Sequence, residues 1–554
     1  MKFISTHEFG NDENVLRQEE VLSAELQEAE ISSLPAFNRG RAVGVIGVLT
    51  VVVAIAGYLR EAALASRFGI STTMDAYFGA IFVPNIVYFV LIAGTFSPIF
   101  IPILLQDHPR ENPEKASQTF SAITNFTLLV LVAIVFLGLL GAHQWLAMLF
   151  PGFSPATIAT AVHLVYIVFP ALLFLGIAGI LTAVLNGFHK FWVAAVAPAL
   201  SSLAVIAGVF LARGDRAVYV IGAATALGFL LQAVLLVMAT ASLGIRYRPV
   251  LDIHHPAIKK LLRLGVPLFL YLTAANASVL LERNLASQLS AGAVSILTYA
   301  LRLFTVPSNF LAAPLAVVAY PGFAREAARN QRGDLGNQVS RMFRLVVFLF
   351  LPITLWTVLN ASPLTRLLYE HGHFVSSDSF ITARVLAIYG GAVFPNAIAI
   401  VLLRCFFAIE DTITPLLAEL IALGTFAATA SLFARHFGIE GLAGARTFSF
   451  YIVTAVLIYV LSRRKGLLKL DLLRSGFLLR TVAASCGMGA VSWAALHFLQ
   501  SAFDGGNTLL RLGIVFIVLA LSGTAFLGVA LLLKIGEAKQ IVKTVQGWFG
   551  GTPA

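Results

Sequence analysis

Apolar runs of roughly 20 residues, the length a helix needs to cross a bilayer's hydrocarbon layer, recur from Ala42 to Leu533 between short polar connections. They fall at 42–62, 76–103, 122–142, 160–185, 192–212, 219–243, 264–284, 293–320, 342–361, 384–406, 416–434, 441–461, 478–499 and 511–533. The pattern predicts an all-α membrane protein with about fourteen transmembrane helices. A membrane β-barrel would show short strands of alternating polarity, and these runs are continuous. Composition agrees: 58% of the residues are hydrophobic and 12% charged. The mean hydropathy of +0.88 lies outside the range of water-soluble domains.

The formal charge of +11 changes the picture through its placement. Cations gather in alternate connections: Arg110 and Lys115; His189 and Lys190; Arg246, Arg248, Lys259, Lys260 and Arg263; Arg325, Arg329, Arg332, Arg341 and Arg344; Arg463, Arg464, Lys465 and Lys469; Lys534, Lys539 and Lys543. Taken as the cytoplasmic side, they put both termini inside with an even number of spans. This is a topology signal rather than a nucleic-acid footprint. Residues 1–40 form an acidic extension in which Glu19, Glu20, Glu25, Glu28 and Glu30 surround Leu22, Leu26 and Ala29, a spacing that suits a short amphipathic helix. It lacks the basic-then-apolar order of a signal peptide. Cys405 and Cys486 lie in or beside spans without a metal or redox motif and read as packing residues.

The chain also repeats itself at an offset of about 220 residues. Ala65-Ser66 has a counterpart in Ala286-Ser287, the turn Leu149–Phe153 resembles Leu368–Phe374, and 181–200 lies opposite 401–420. Spans 1–6 (residues 41–250) and 7–12 (251–470) therefore read as two copies of one six-helix lobe. An even span number gives the copies the same orientation, related by an axis along the membrane normal. Spans 13 and 14 (471–536) form an added hairpin, and 537–554 a cytoplasmic tail. Two such bundles flanking a cavity suit an alternating-access carrier.

Charges inside hydrocarbon are costly and normally face a bundle interior or a wet cavity. Here they are Arg60, Glu61, Asp75, Glu282, Arg283 and Arg302, with Arg384, Arg404 and Arg446 in spans 10 and 12. Arginine dominates, and its rigid fork of donors matches phosphate oxygens, so a cavity lined this way attracts an anionic headgroup such as a diphosphate. Structural roles compete: Arg60 and Glu61 as headgroup caps, Asp75 as the N-cap or first-turn acid of its own helix, Glu282 and Arg283 as a local ion pair, and Arg404 as a snorkelling interface residue. Arg302, about ten residues into its span, is the hardest to explain structurally. Pro84, Pro102, Pro267, Pro307, Pro314 and Pro352 permit kinks of the kind rocking bundles use. No phosphate-binding glycine loop with its lysine, paired-histidine zinc signature or serine elbow occurs. An enzyme and an ATP-driven pump are therefore not expected. No cofactor is expected either, and the energy would come from membrane potential, a monovalent ion gradient or the substrate gradient.

Arg60-Glu61-Ala62, Phe68-Gly69, Asp75-Ala76-Tyr77-Phe78, Pro84-Asn85, Gly94-Thr95-Phe96-Ser97 and Phe100-Ile101-Pro102-Ile103 resemble the amino-terminal signature of the MurJ/MviN family of bacterial lipid II flippases. That family lies within the multidrug/oligosaccharidyl-lipid/polysaccharide exporter superfamily. Phe150–Phe153, Val184–Asn186, Ala197-Pro198, Tyr299–Arg302, Pro307, Arg404–Ala408 and Asp411–Pro415 extend the likeness over about 42–535. The resemblance implies fourteen helices in the bacterial inner membrane, two lobes around a cationic cavity, and a hairpin that helps form a lipid-tail groove. It implies substrate contacts at Arg60, Asp75 and Arg302, with Arg283, Glu282 and Asn85 as further candidates, and gating or lobe contacts at Glu61, Pro84, Pro307 and Arg404. A lipid-linked glycan, membrane lipids and the cell-wall synthesis machinery are the implied partners, and a monomer is expected.

The chain departs from the family at Ala54, Tyr88 and Ala93, where charged residues are usual, and at Leu301, which breaks a tyrosine–aspartate pair. Three alternatives follow. Arg283 substitutes in holding the diphosphate, the chain moves another polyprenyl-linked oligosaccharide, or it is a scaffold that no longer transports. A cation-coupled drug exporter should show buried acids instead of buried arginines.

Overall fold

The computed structural model describes residues 36–105, 112–188, 190–243, 247–249, 252–329, 331–469 and 476–549. The amphipathic segment anticipated around residues 19–30 lies outside them. Among the described residues every regular element is helical. In chain order these are α1 (Ala36–Phe68), α2 (Thr72–Val87), α3 (Ser97–Leu105), α4 (Pro113–Leu140), α5 (Ala142–Leu149), α6 (Pro155–Val168), α7 (Leu172–Gly187), α8 (Phe191–Leu211), α9 (Ala217–Ala241), α10 (Pro256–Ser287), α11 (Ala293–Pro307), α12 (Ala313–Ala328), α13 (Arg332–Leu359), α14 (Ala361–Tyr369), α15 (Ser376–Gly390), α16 (Val393–Ala408), α17 (Ile413–Tyr459), α18 (Phe477–Gly505), α19 (Thr508–Leu532) and α20 (Gly536–Phe549).

Among the described residues eleven helices are long and apolar enough to cross a membrane, and 13 if two bent pairs each count as one span. The longest, Ile413–Arg464, has 52 residues, which as a straight helix would reach about 78 Å. Yet Lys465 Nζ lies 3.0 Å from Asp411 Oδ2, so the two ends of this segment meet. It folds back at Gly438, whose φ of 58° and ψ of −136° are not helical. Dividing it there gives the fourteen spans that the hydropathy pattern predicts.

Large apolar side chains such as Phe136, Leu137, Phe210, Leu479, Phe498 and Leu532 stay exposed, as they should where the solvent is lipid. Helices instead pack through small residues. A Cβ on Gly228 of α9 would come within 2.7 Å of the Ser201 Cα on α8, so these two backbones can touch only because position 228 is glycine.

The element order repeats at about 220 residues. In each half a helix carrying a late proline passes into a π-helical stretch: Pro84 precedes Tyr88–Phe96, and Pro307 directly precedes Ser308–Ala312. Proline removes one backbone donor and the wider turn absorbs the mismatch, so both prolines mark bends in the second span of their half. Both halves then run through a 28-residue helix (α4, α13) and a short helix (α5, α14). Beyond the hairpin, the segment read as a tail contains α20, anchored by buried Ile535 and Ala538 and by an ion pair between Glu537 and Arg344.

Candidate functional site: an arginine–carboxylate cluster at the seam between the halves

The charged residues singled out in the sequence come together where α1 and α2 meet α10 and α11, toward the face opposite the basic connections. The helix α1 carries Arg60 and Glu61 about two turns before its end at Phe68. Glu61 Oε1 takes Arg60 Nη2 at 2.6 Å and Arg302 Nη2 of α11 at 3.5 Å, so one carboxylate is shared by an arginine from each half. Arg302 lies over Gly57, where a Cβ would stand 3.8 Å from its Nη2. Tyr58, next to Gly57, lies close to Arg302 and Thr305 across the same seam. Arg283 of α10 donates to Thr298 Oγ1 at 2.5 Å and stacks over the Phe82 ring of α2, 5.1 Å from its centroid.

Arg60 and Arg302 thus share one carboxylate, while Arg283 lies within electrostatic reach of Glu282, Asp75 and Glu61. Glu61 is buried, whereas the Arg302 side chain is 40% exposed and can be reached. Glu61 Oε2, Arg60 Nε and Arg283 Nε have no hydrogen-bond partner among the described residues. Unpaired polar atoms in a buried site leave bonding capacity for a ligand or water.

Asp75 does not cap its own helix; Ser71 does, its hydroxyl accepting from Met74 N at 3.2 Å. The Asp75 carboxylate crosses the seam to the start of α11, accepting from Gly292 N at 2.7 Å, Ser295 N at 2.8 Å and Ser295 Oγ at 2.6 Å. The N-cap position of α11 is Gly292, held at φ +84° with Ile70 pressed against its α-carbon, so that helix has no cap of its own and borrows one from the opposite half.

Two further contacts seal this face. His373 N donates to Ser66 O at 2.8 Å, and Gly152 N donates to Ser287 Oγ at 3.4 Å. At Gly372 (φ +59°) and at Gly152 an added Cβ would collide with the Ser66 and Ser287 carbonyls respectively, so glycine is required at both. Beneath them Phe78, Tyr299, Tyr369 and Phe374 pack ring against ring, with Phe78 meeting Tyr299 edge-on at 5.5 Å.

The other expected residues lie elsewhere. Glu282 is turned into its own half, where its Oε1 accepts from Tyr389 Oη at 2.6 Å and its Oε2 lies 4.0 Å from Arg446 Nε. Arg283 turns instead to Thr298 and the Phe82 ring at the seam, with Glu282 still within electrostatic reach. Arg446 is further held between Phe426 and Phe450. Asn85, one turn below Phe82, is exposed and outside the cluster. Arg404 is half-buried at the basic end of α16, and no hydrogen bond or ion pair to another described residue ties it to the seam. Tyr88 packs against Gly179 within its own half, and the side chain of Ala93 lies outside the described residues. The sequence did not point to Gly292, Ser295, Phe82 or Tyr389, which carry no charge and acquire their roles only through contacts.

A profile of the family described as "Lipid II flippase MurJ" matches residues 64–514. Among curated relatives, the probable lipid II flippase MurJ of Buchnera aphidicola (subsp. Schizaphis graminum) is 23% identical over 87% of this chain and 94% of its own length. The lipid II flippase MurJ of Burkholderia cenocepacia is 26% identical over 83% and 91%. Of solved structures, a lipid II flippase MurJ in an inward closed conformation superposes with a TM-score of 0.75 at 22% identity, covering 88% of this chain and 98% of the other. An inward-facing multidrug transporter of the MATE family superposes at 0.63 with 14% identity over 76% of this chain. These structural likenesses concern the fold; the family assignment rests on the profile, which spans most of the chain. The chain belongs to the MurJ family of lipid II flippases.

Proposed function

We propose that this protein carries a polyprenyl-diphosphate-linked peptidoglycan precursor, lipid II, from the cytoplasmic to the outer leaflet by alternating access, as a transporter and not a catalyst. One observation carries the reading. Two arginines, one from each half, share the Glu61 carboxylate, and Arg283 stands beside them over Phe82, beneath a seam closed on one face by specific contacts between the halves. A diphosphate offers more acceptor oxygens than Glu61 and competes with it for Arg60 and Arg302 through paired, charge-assisted bonds. Ligand contacts from both halves favour states in which the halves close around the headgroup. The seam opens on the outer face when Asp75 lets go of α11, and the bends at Pro84 and Pro307 accommodate the swing.

The protein is a multi-pass protein of the bacterial inner membrane. We assign the basic face to the cytoplasm, which puts both termini inside and the Asp75 seal on the outer side. The lobes of this cycle are residues 41–250 and 251–470, with the added hairpin at 471–536 beside the second. The working unit is a monomer, driven by membrane potential or a monovalent ion gradient, and it delivers substrate to the cell-wall synthesis machinery.

The test is rescue of a bacterium depleted of its own lipid II flippase, with surface-exposed lipid II scored by an external cleavage probe. The wild-type chain restores exposure and Arg302→Ala loses it at unchanged membrane level. Arg302→Ala working as well as wild type refutes the cluster as the headgroup site. A well-expressed wild-type chain that exposes no lipid II favours another polyprenyl-linked glycan, the reading to which Ala54 and Tyr88 lend weight.

A further inference from the structure

A second polar site lies away from the seam. On α18, Trp493, His497, Gln500 and Asp504 follow one another at helical spacing and form a polar stripe on a helix that is otherwise apolar. The stripe faces Ser362 and Arg366 of α14 across a cleft of about 210 Å³, at the same membrane face as the Asp75 seal. Its floor is Phe503, with Arg366 5.3 Å and Arg511 5.4 Å from the ring centroid. Arg366 is bonded to Asp504 at 2.6 Å and Glu370 at 3.0 Å, and Arg511 lies 3.7 Å from Glu370, so two arginines and two carboxylates cancel. Trp493 stacks on His497 with ring centroids 5.6 Å apart, yet is 64% exposed.

We infer that this cleft is a glycan-binding subsite on the outer face, which takes the neutral sugar portion of the lipid-linked substrate after it has crossed. Three features select that chemistry. The charges balance, which disfavours a diphosphate or an anionic phospholipid headgroup. Donors and acceptors alternate on planar side chains (Gln500, Asp504, Arg366), the arrangement that vicinal hydroxyls and acetamido groups satisfy. An indole stands at the rim, where the C–H face of a pyranose can lie on it. The placement also joins the site to the gate. The last turn of α14 is fastened to the hairpin through Arg366, and three residues on, Tyr369 Oη donates to Tyr299 O at 3.2 Å in the aromatic seal. A sugar held here touches the short helix on which the outer seal rests.

This inference rests on the flippase reading, and its test is separable from it. The full-length protein in nanodiscs is titrated with a water-soluble disaccharide–pentapeptide lacking the lipid and the diphosphate, with binding read by saturation-transfer NMR. The wild type binds. Trp493→Ala and Gln500→Ala, both at exposed positions, weaken binding up to about tenfold, the equivalent of one aromatic or hydrogen-bond contact. Arg302→Ala binds as wild type does, whatever its effect on flipping. Absence of binding by the wild type, or binding unchanged in both α18 variants, overturns the assignment. So does loss in Arg302→Ala, which would place the sugar at the seam. Wild-type binding that appears only when phosphatidylethanolamine is omitted from the nanodisc would give the cleft to a zwitterionic headgroup and overturn it as well.

Discussion

Asp75 makes the sharpest claim about how the halves are held together, because its carboxylate bonds cross the seam. Asp75→Ala removes the acceptor from two first-turn amides of α11 and from the Ser295 hydroxyl. The hydroxyl can turn elsewhere, but the amides of Gly292 and Ser295 cannot. An N-cap side chain contributes about 0.5–2 kcal/mol, and a hydrogen bond to a charged group about 1.5–3 kcal/mol. Burial of the carboxylate offsets part of this, leaving a net loss of roughly 2 kcal/mol. The loss falls on the sealed state alone, since water satisfies the same groups once the halves part. A shift of about 2 kcal/mol changes the sealed-to-open ratio about thirtyfold and takes a 99:1 population to roughly three-quarters sealed. Asp75→Asn should behave more like alanine than its shape suggests, because its amide would turn a donor toward a donor.

The assay is pulsed electron–electron distance measurement between spin labels at Asp215→Cys and Ser377→Cys, both exposed and on the sealed face. The background carries Cys486→Ala, because that cysteine is exposed while Cys405 is buried. Wild type should give one short distance population, and Asp75→Ala a second, longer one. Identical distributions in a folded Asp75→Ala protein would mean that the cap does not hold the seam, and the gating role given to it would fail.

Three further outcomes follow from the same geometry. Glu61→Gln leaves Arg60 and Arg302 without their common counter-charge, so inorganic pyrophosphate should bind several-fold tighter by calorimetry while flipping slows; weaker binding would contradict a competition between Glu61 and the headgroup. Arg446→Ala strands the Glu282 carboxylate inside its lobe and should destabilise the detergent-solubilised protein by about 3 kcal/mol, much of it regained in Arg446→Ala/Glu282→Gln; a double variant no more stable than the single would show that the pair is not coupled. In the Asp411 loop, partial burial raises the carboxyl pKa, but the Thr414 amide and hydroxyl and the Lys465 ammonium outweigh it and hold the group below the usual carboxylate range. A depressed value stabilises the fold above the unfolded pKa of about 3.9 and is lost as pH falls through the folded one, so Asp411→Asn should flatten the acid end of the stability profile and leave neutral pH dependence alone. An unchanged acid limb would remove the Asp411–Lys465 clasp from the account.

The spans were legible because each is a run long enough to cross a membrane, and even the fold-back at Gly438 shows as the gap between 416–434 and 441–461. The two π-helical stretches were not, since a change in hydrogen-bond register leaves hydropathy unaltered. The helix α20 was read as tail because it packs at the edge of the basic face and has no span-length run to announce it. The bonds of Asp75 across the seam were hidden for a different reason. A first-turn acid suits the start of its own helix, and nothing local says that Ser71 already fills that place.

The repeat offers a way to read such contacts. Ser66 and Ser287 are counterparts, as are the turns that hold Gly152 and Gly372, and the observed bonds run crosswise: Ser66 to the 372–373 turn, Ser287 to Gly152. Asp75 meets Ser295, 220 residues away and one position short of the 221 that separates Ser66 from Ser287, so this contact lies close to the axis relating the halves. A contact between a residue and its own counterpart can form only at the axis relating the two halves, and crossed pairs form beside it. The short motifs that betrayed the duplication are therefore the surfaces that close the seam. Matching motifs at alternate span ends of a duplicated carrier should be searched for crossed contacts before they are assigned to substrate. By that argument Asp75 is the residue we propose for the gate, and Arg60, Arg283 and Arg302, which have no arginine counterparts at the same offset, are those we propose for the headgroup.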